Sequence, residues 1–483
     1  MKQTTIKALI IAIAFLGASR VSSSAQESEV DQLKAQMKAM EQSMEEMKQK
    51  IADLEKKQAA QPAAPPTNAA AASKSVQDIE KLAEGQSLGQ QSQITDRGNL
   101  NDQEEQAPRP GDYTLDPKYR GFVAIPNTPA LIKFNAKPRV DTMIDNRNSG
   151  NPDRFVTATI PVSGPAVGGG EQFNMTAKGS SLSLDVRAPD VPGNFRFYYN
   201  NDFFGSGSGM AYRLKQLYGE YFNVTAGFTY SIFEDPDVWP NTVDFEGPNS
   251  ATFARQPTVR YMIPLSEHWL INLGLQQPST DVNGGPAGSP FVGATPNNQA
   301  PDGGFNVRWE DSKRGHVQFA AIFRDLGARD PGVVPDQNVL GWGLNLSASL
   351  NLFERDSVQA QLTYGDGIFH FCNDNFFNGD AAFDPAGNLQ ALEYFGGMAG
   401  YTHYWCDRFS STATFGYVDL GSEPSLGPTF YDHTYYASVN VVWQLRKHLS
   451  VGLEGLYGKK QEQAGDHGDV FRVQLGLVYS LFD

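Results

Sequence analysis

The sequence predicts an all-β fold, a transmembrane antiparallel β-barrel of about sixteen strands preceded by an N-terminal α-helical coiled coil. Three observations predict it. Apolar and polar residues alternate with period two from residue 130 to the end, and short turns alternate with long loops rich in Gly, Pro, Asn and Asp between those runs. Ahead of them an export signal is followed by a heptad seam.

In the opening stretch MKQTTIKALIIAIAFLGASRVSSSAQ, Lys2 and Lys7 precede an apolar run from Ala8 to Ala18 and a small-residue segment ending at Ala25. This pattern predicts a signal peptide over residues 1–25, and no Cys follows the cleavage site to carry a lipid. Residues 26–58 are expected to form a periplasmic coiled coil. Val30, Met37, Met44 and Ile51 occupy one core position and Leu33, Met40, Met47 and Leu54 the other. The flanking pairs Glu29 with Lys34 and Lys50 with Glu55 favour parallel self-association, while a Met-rich seam leaves the strand number open. A single solvated amphipathic helix is the alternative. About 25 residues would extend ~38 Å at helical rise. Residues 59–119 begin with an Ala/Pro-rich stretch and read as a flexible linker, with one short helix from Ser75 to Leu88.

Residues 120–483 carry the barrel pattern. In ALIKFNAKPRVDTMID, Ile132, Phe134, Ala136, Pro138, Val140, Thr142 and Ile144 share one side, and Lys133, Asn135, Lys137, Arg139, Asp141 and Asp145 the other. The same alternation returns in NFRFYYNN, TVRYMIPL, GFNVRWED, HVQFAAIFRD, DSVQAQLTYG and DVFRVQLGLVYSLF. LSEHW, EDSKRG, FERD, YWCDRF and QLRKH read as short periplasmic turns, and Glu234 to Pro257 and Thr280 to Gly303 as long outer loops. An even strand number returns both barrel ends to the periplasmic side. Trp269, Trp309, Tyr404, Trp405 and Trp443 stand near the turns, as an interfacial girdle would. The segment from Phe173 to Leu184 breaks the alternation and marks a slip of register. A mean hydropathy of -0.41 does not oppose a membrane location, because barrel strands expose apolar side chains only at alternate positions.

The formal charge of -15 argues against nucleic acid as a partner. Two cysteines exclude a disulfide scaffold; Cys372 in a long loop and Cys406 in a short turn should lie ~30 Å apart, which favours free thiols, with a single disulfide as the alternative. Seven His without Cys/His clustering give no metal site, and no cofactor motif is present. Gly205 to Gly209 is a flexible loop rather than a phosphate cradle, and neither a G-x-S-x-G elbow nor an H-E-x-x-H helix occurs, so an enzyme is not expected.

If the apolar faces meet lipid, the other faces line a lumen. Its basic residues would be Lys133, Lys137, Arg139, Arg187, Arg196, Arg260, Arg308, Arg324 and Arg472, against the acids Asp141, Asp145, Asp185 and Glu310. Such a surplus of guanidinium groups in a narrow passage favours anions. The alternative is that these arginines only balance lumen carboxylates. The loop EDPDVWPNTVDFEGPNSATFARQP is the best constriction, since Val238, Trp239, Val243 and Phe245 are apolar anchors that a loop in water does not need; its Arg255 would stand near Arg260. The alternative is an ordinary surface loop with a packed tip.

The segments GFVAIPNTPALIKFNAKPRVDTMIDN and DPDVWPNTVDFEGP, with the heptad extension ahead of them, resemble the DcaP-like family of trimeric outer-membrane porins across essentially the whole mature chain. The resemblance implies a sixteen-stranded homotrimeric diffusion channel whose positive constriction favours small anionic solutes, dicarboxylates among them. Asp483 after Phe482 displaces the terminal aromatic by one position, which leaves the fold unthreatened. The expected partners are the outer-membrane bilayer, two further copies of the chain and small anions, and the stalk could reach peptidoglycan. A barrel serving only as an anchor for that stalk is the competing function.

Overall fold

The computed structural model describes residues 122–481 apart from 164–166, 168, 189–190, 208, 331–333 and 354. The signal peptide, coiled coil, linker and short helix expected before residue 120 lie outside the described residues.

The strands follow in chain order as β1 Val123–Ala124, β2 Leu131–Lys137, β3 Arg139–Asp145, β4 Gln172–Thr176, β5 Ser181–Ala188, β6 Phe195–Asp202, β7 Arg213–Tyr221 and β8 Val224–Tyr230. After the loop at 231–254 come β9 Arg255–Pro264, β10 Trp269–Gln276, β11 Val282–Asn283, β12 Thr295–Pro296, β13 Asp302–Asp311, β14 Gly315–Asp330, β15 Val334–Leu352 and β16 Asp356–Asp366. The chain ends with β17 Ala381–Phe383, β18 Leu389–Ala391, β19 Glu393–Cys406, β20 Phe409–Leu420, β21 Tyr431–Arg446, β22 Leu449–Glu462 and β23 His467–Tyr479. Except for the small set β11, β17 and β18, all belong to one large sheet. Its neighbours pair antiparallel, and the last strand pairs with β3, placing Arg472 opposite Asp145 and Val478 opposite Arg139.

The sheet inverts the polarity of a water-soluble domain. Asp141, Asn272, Asn306, Gln318, Asn345, Gln361, Thr412, Asn440 and Gln474 are buried on the face that the loops cover, while Phe134, Leu273, Phe323, Leu346, Leu362, Val439 and Leu453 are exposed on the other. Only a solvent of hydrocarbon makes the second face favourable. The predicted short turns join consecutive strands at one end, where Trp269 stands opposite Trp309 and Phe409 stacks on Trp443 at 5.4 Å. Tyr404 is the exception among the expected girdle residues. It shares the phase of Tyr394 and Met398 and is buried on the covered face, whereas its neighbour Trp405 is exposed.

Two slips interrupt the alternation. Between β4 and β5 the tight turn 177–180 sets four residues against the three from Pro138 to Val140 on the neighbouring strand line. In β7 the register shifts so that Leu214 faces Asn201 but Gln216 faces Asn200, which leaves Lys215 as the inserted residue.

At the loop end the covered face is not polar throughout. Phe233, Ala320, Ile322, Ile368, Phe369, Phe371, Cys372, Tyr394, Val418, Leu420 and Tyr431 form an apolar cluster between β14, β19, β20 and β21 and the segment that follows β16. This cluster fills space beside those strands. Both cysteines are free thiols: Cys372 is buried against the Asn249 carbonyl at 3.3 Å and Cys406 is exposed at the turn end.

Candidate functional site

The loop 231–254 lies on the covered face along nearly its whole length; Ile232, Phe233, Val238, Val243, Ala251 and Thr252 are buried. The wall admits it through glycines. A Cβ at Gly304 would stand 3.0 Å from Ile232, at Gly343 3.0 Å from Phe233, at Gly400 2.6 Å from Pro240 and at Gly476 2.8 Å from Val243. Polar wall residues then bind its main chain, Asn306 donating to Ile232 O, Asn345 to Phe233 O and Asn440 to Asn241 O, at 2.7 to 2.9 Å. Val243 O accepts from Arg139 of β3 and Gln474 of β23. The apolar anchors read from the sequence are therefore buried inside. Gly400→Val is expected to cost about 1–3 kcal/mol through overpacking against Pro240 and to raise single-channel conductance as the loop lifts, measurable by urea unfolding and bilayer recording.

An ionic cluster fixes the loop's first turn. Arg308 of β13 donates to Asp235 at 3.1 Å, Asp237 at 2.6 Å and Glu310 at 2.9 Å, while Ser347 and His316 reach the other oxygen of Asp235 at 2.6 and 2.9 Å. Burial alone would raise the Asp235 carboxyl, but His316 and Arg308 outweigh it and hold it below the usual carboxylate range. Asp235, Asp237 and His316 are close enough to share a cation. That cation is already the Arg308 guanidinium. Next to it Glu234 accepts one bond, from Ala254 N at 3.0 Å, and its other oxygen receives no donor among the described residues. Burial pushes this carboxyl up to about 8, against the pull of Arg255 and Arg260.

Beside the loop tip, Arg154, Arg213, Trp239, Phe245, Glu246, Phe253, Arg255 and Asn373 line an open recess. Arg154 meets Glu246 at 3.0 Å, and Arg213 meets Asp202 through Nε at 2.8 Å. Arg255 packs over the rings of Phe253 and Tyr230, 4.6 and 5.2 Å from their centroids. Three guanidinium groups and one carboxylate thus line the recess, with Asp202 buried behind Arg213.

Of the basic residues expected from the sequence, the structure brings only Arg255 into this recess. Arg139 is buried against Asp141 at 2.7 Å and Arg472 against Asp145 at 2.6 Å. Arg324 bridges Asp302 and Asp380 at 3.1 and 3.0 Å, and Arg308 serves the loop's first turn. Arg187 and Arg196 share Asp185, at 2.8 and 3.1 Å, and Lys133 stands opposite Asp185 in the register of β2 on β5. Lys137 is half-buried opposite Ser181, and Arg260 donates to Tyr230 O at 2.9 Å, on the strand that begins with Arg255. For most of these the balancing reading fits the geometry. Arg154, Arg213 and Lys215 escaped the sequence reading for identifiable reasons: Arg154 lies in a loop without periodicity, and strict alternation puts Arg213 and Lys215 on the face of Leu217, a phase that the inserted residue reverses.

An antiparallel sheet with polar residues covered and apolar residues outside, an aromatic belt at its turns and a loop laid against its inner wall define a porin, a β-barrel channel of the outer membrane. A family model described as DcaP outer membrane protein matches residues 73–481. The chain belongs to this family. The crystal structure of the outer-membrane channel DcaP of Acinetobacter baumannii is similar at a TM-score of 0.66 and 18% identity, over 74% of this chain and 99% of that one. Fainter likeness extends to an anion-selective porin from Comamonas acidovorans, with TM-score 0.48, 12% identity and coverage of 73% and 100%. OprB of Pseudomonas putida reaches 0.44 at 11% identity, over 72% of this chain and 94% of that one. No curated protein matches the chain.

Proposed function

We propose that this outer-membrane channel passes small anionic solutes, dicarboxylates among them, by passive diffusion through a neck beside the infolded loop. The observation that carries the reading is the recess lined by Arg154, Arg213 and Arg255 against the single carboxylate of Glu246. Guanidinium groups in a passage walled by protein lower the barrier for a carboxylate and can grip it through two parallel hydrogen bonds. The other predicted arginines shape the passage through their ion pairs rather than by contact with solute.

The barrel is read as sixteen-stranded and closed. Joining β2 to β3 across Pro138 and β4 to β5 across the turn at 177–180, and leaving out the two-residue strands β1 and β12, reduces the 20 strands of the large sheet to that number, and the pairing of β23 on β3 supports closure. The short-turn end then faces the periplasm with the N-terminal extension, whose heptads favour parallel self-association; the homotrimer that the family resemblance implies would suit such a stalk.

Reversal potentials of the purified mature protein in a planar bilayer under a KCl gradient test the function. Chloride is expected to exceed potassium in permeability, with closures in thirds for a trimer. Arg255→Glu is expected to lower the chloride-to-potassium ratio on the order of fivefold, the effect of roughly 1 kcal/mol at a constricted passage. A cation-selective wild type sinks the anion reading, and correctly folded protein without conductance sinks the channel itself.

A further inference from the structure

We propose that Phe245, at the tip of the infolded loop, is a positioning residue for selectivity: with Phe204 it holds Arg154 and Arg213, two of the cations that line the neck, at the places where a passing anion meets them, with the buried Arg139 and Lys215 set behind the Phe245 ring. The proposal rests on the anion-favouring reading above and assigns its origin to two uncharged rings.

The two rings lie 4.4 Å apart at an interplanar angle of 35°. Around Phe245 stand Arg139 at 5.4 Å, Arg213 at 5.8 Å and Lys215 at 6.0 Å from the ring centroid. Around Phe204 stand Arg154 at 5.3 Å and Arg213 at 5.4 Å. Four cations drawn from the wall strands and the first long loop therefore converge on one aromatic pair. Like charges so placed repel, and in water they would splay apart. The negative faces of the rings offset part of that repulsion and fix where each charge sits. The carboxylates Asp141, Asp202 and Glu246 grip the guanidinium groups of Arg139, Arg213 and Arg154, so the acids orient the cations while the rings space them.

A second observation comes from the turn between β4 and β5, beside the strand that carries Arg139. Gly179, in the turn that separates β4 from β5, leaves the room that Phe245 uses; a Cβ there would stand 3.0 Å from the ring and 2.9 Å from Arg139 Cδ. The slip of register at that turn thus seats the loop tip. Its φ is not in the left-handed region, so alanine is tolerated by the backbone and acts by pushing on the ring and on Arg139.

The test measures the chloride-to-potassium permeability ratio of the full mature channel in wild type, Phe245→Leu, Phe245→Trp and Gly179→Ala. Retention of the folded, heat-modifiable gel mobility is checked for each. None of these changes alters the charge. The ratio is expected to fall about threefold in Phe245→Leu and Gly179→Ala and to stay near wild type in Phe245→Trp, whose ring face persists. An anion-selective wild type with an unchanged Phe245→Leu overturns the positioning role and leaves the proposed function standing. Loss in Phe245→Trp equal to that in Phe245→Leu overturns it as well, since the ring face is then not the cause. A wild type without anion preference removes both.

Discussion

Replacing Arg308 by alanine is expected to destabilise the protein by roughly 3–5 kcal/mol, the usual cost of stripping the partner from a buried charge. Asp235 has no solvent exposure and Asp237 little, and the guanidinium joins both of them to Glu310. His316 and Ser347 still reach one oxygen of Asp235 after the change, but neither reaches Asp237. The effect should therefore appear twice, as a lower urea midpoint and as larger, noisier current steps when the first turn of the loop leaves the wall. Lysine restores the charge but not the fork that serves three carboxylates at once, so Arg308→Lys should recover less than half of the loss. Wild-type stability in Arg308→Ala would show that the cluster does not hold the loop.

Glu234→Gln carries the second large effect, and its sign depends on pH. Burial raises the Glu234 carboxyl from its ordinary 4.5 to about 8, so the folded protein keeps a proton that the unfolded chain releases. Stability contributed by this group is full at acid pH, falls as pH rises between those two values, and is level above the higher one. Glutamine removes the fall. Its amide oxygen can still accept from Ala254 N, and its NH2 takes the place of the oxygen that receives no donor. The variant should match wild type near pH 4 and exceed it by up to about 5 kcal/mol above pH 8, since each tenfold difference in proton affinity between folded and unfolded chains is worth roughly 1.4 kcal/mol. Urea midpoints measured across that range decide the matter; a constant difference between the two proteins would mean that Glu234 does not titrate as its burial requires.

Much of the fold was legible because a barrel strand writes its two solvents into alternate residues. The turns LSEHW, EDSKRG, FERD, YWCDRF and QLRKH fall between consecutive strands, and the apolar anchors of loop 231–254 betrayed its buried place. Legibility failed where phase or partner depends on the third dimension. Tyr404 and Trp405 are adjacent aromatics, and only the register of β19 on β20 tells which one faces inward. One inserted residue hid Arg213 and Lys215. Arg308 and Arg324 are buried on the covered face, yet alternation could not pair them with Asp235, Asp237 and Asp380, which belong to segments without a period.

The carbonyl of Val243 accepts from Arg139 and Gln474, one donor from each of the paired strands β3 and β23. A segment from the middle of the chain thereby touches both strands of the pairing with the greatest separation in sequence, 327 residues between Asp145 and Arg472. Bringing such distant partners together is the slow, entropically costly step for any sheet of this topology. In the folded protein the loop tip acts as a clamp: its one carbonyl is an acceptor that both strands of the pairing share. The loop proposed to form the neck is thus also tied to the seam where the chain's two ends pair, and shortening it is expected to weaken that pairing as well as to change permeation.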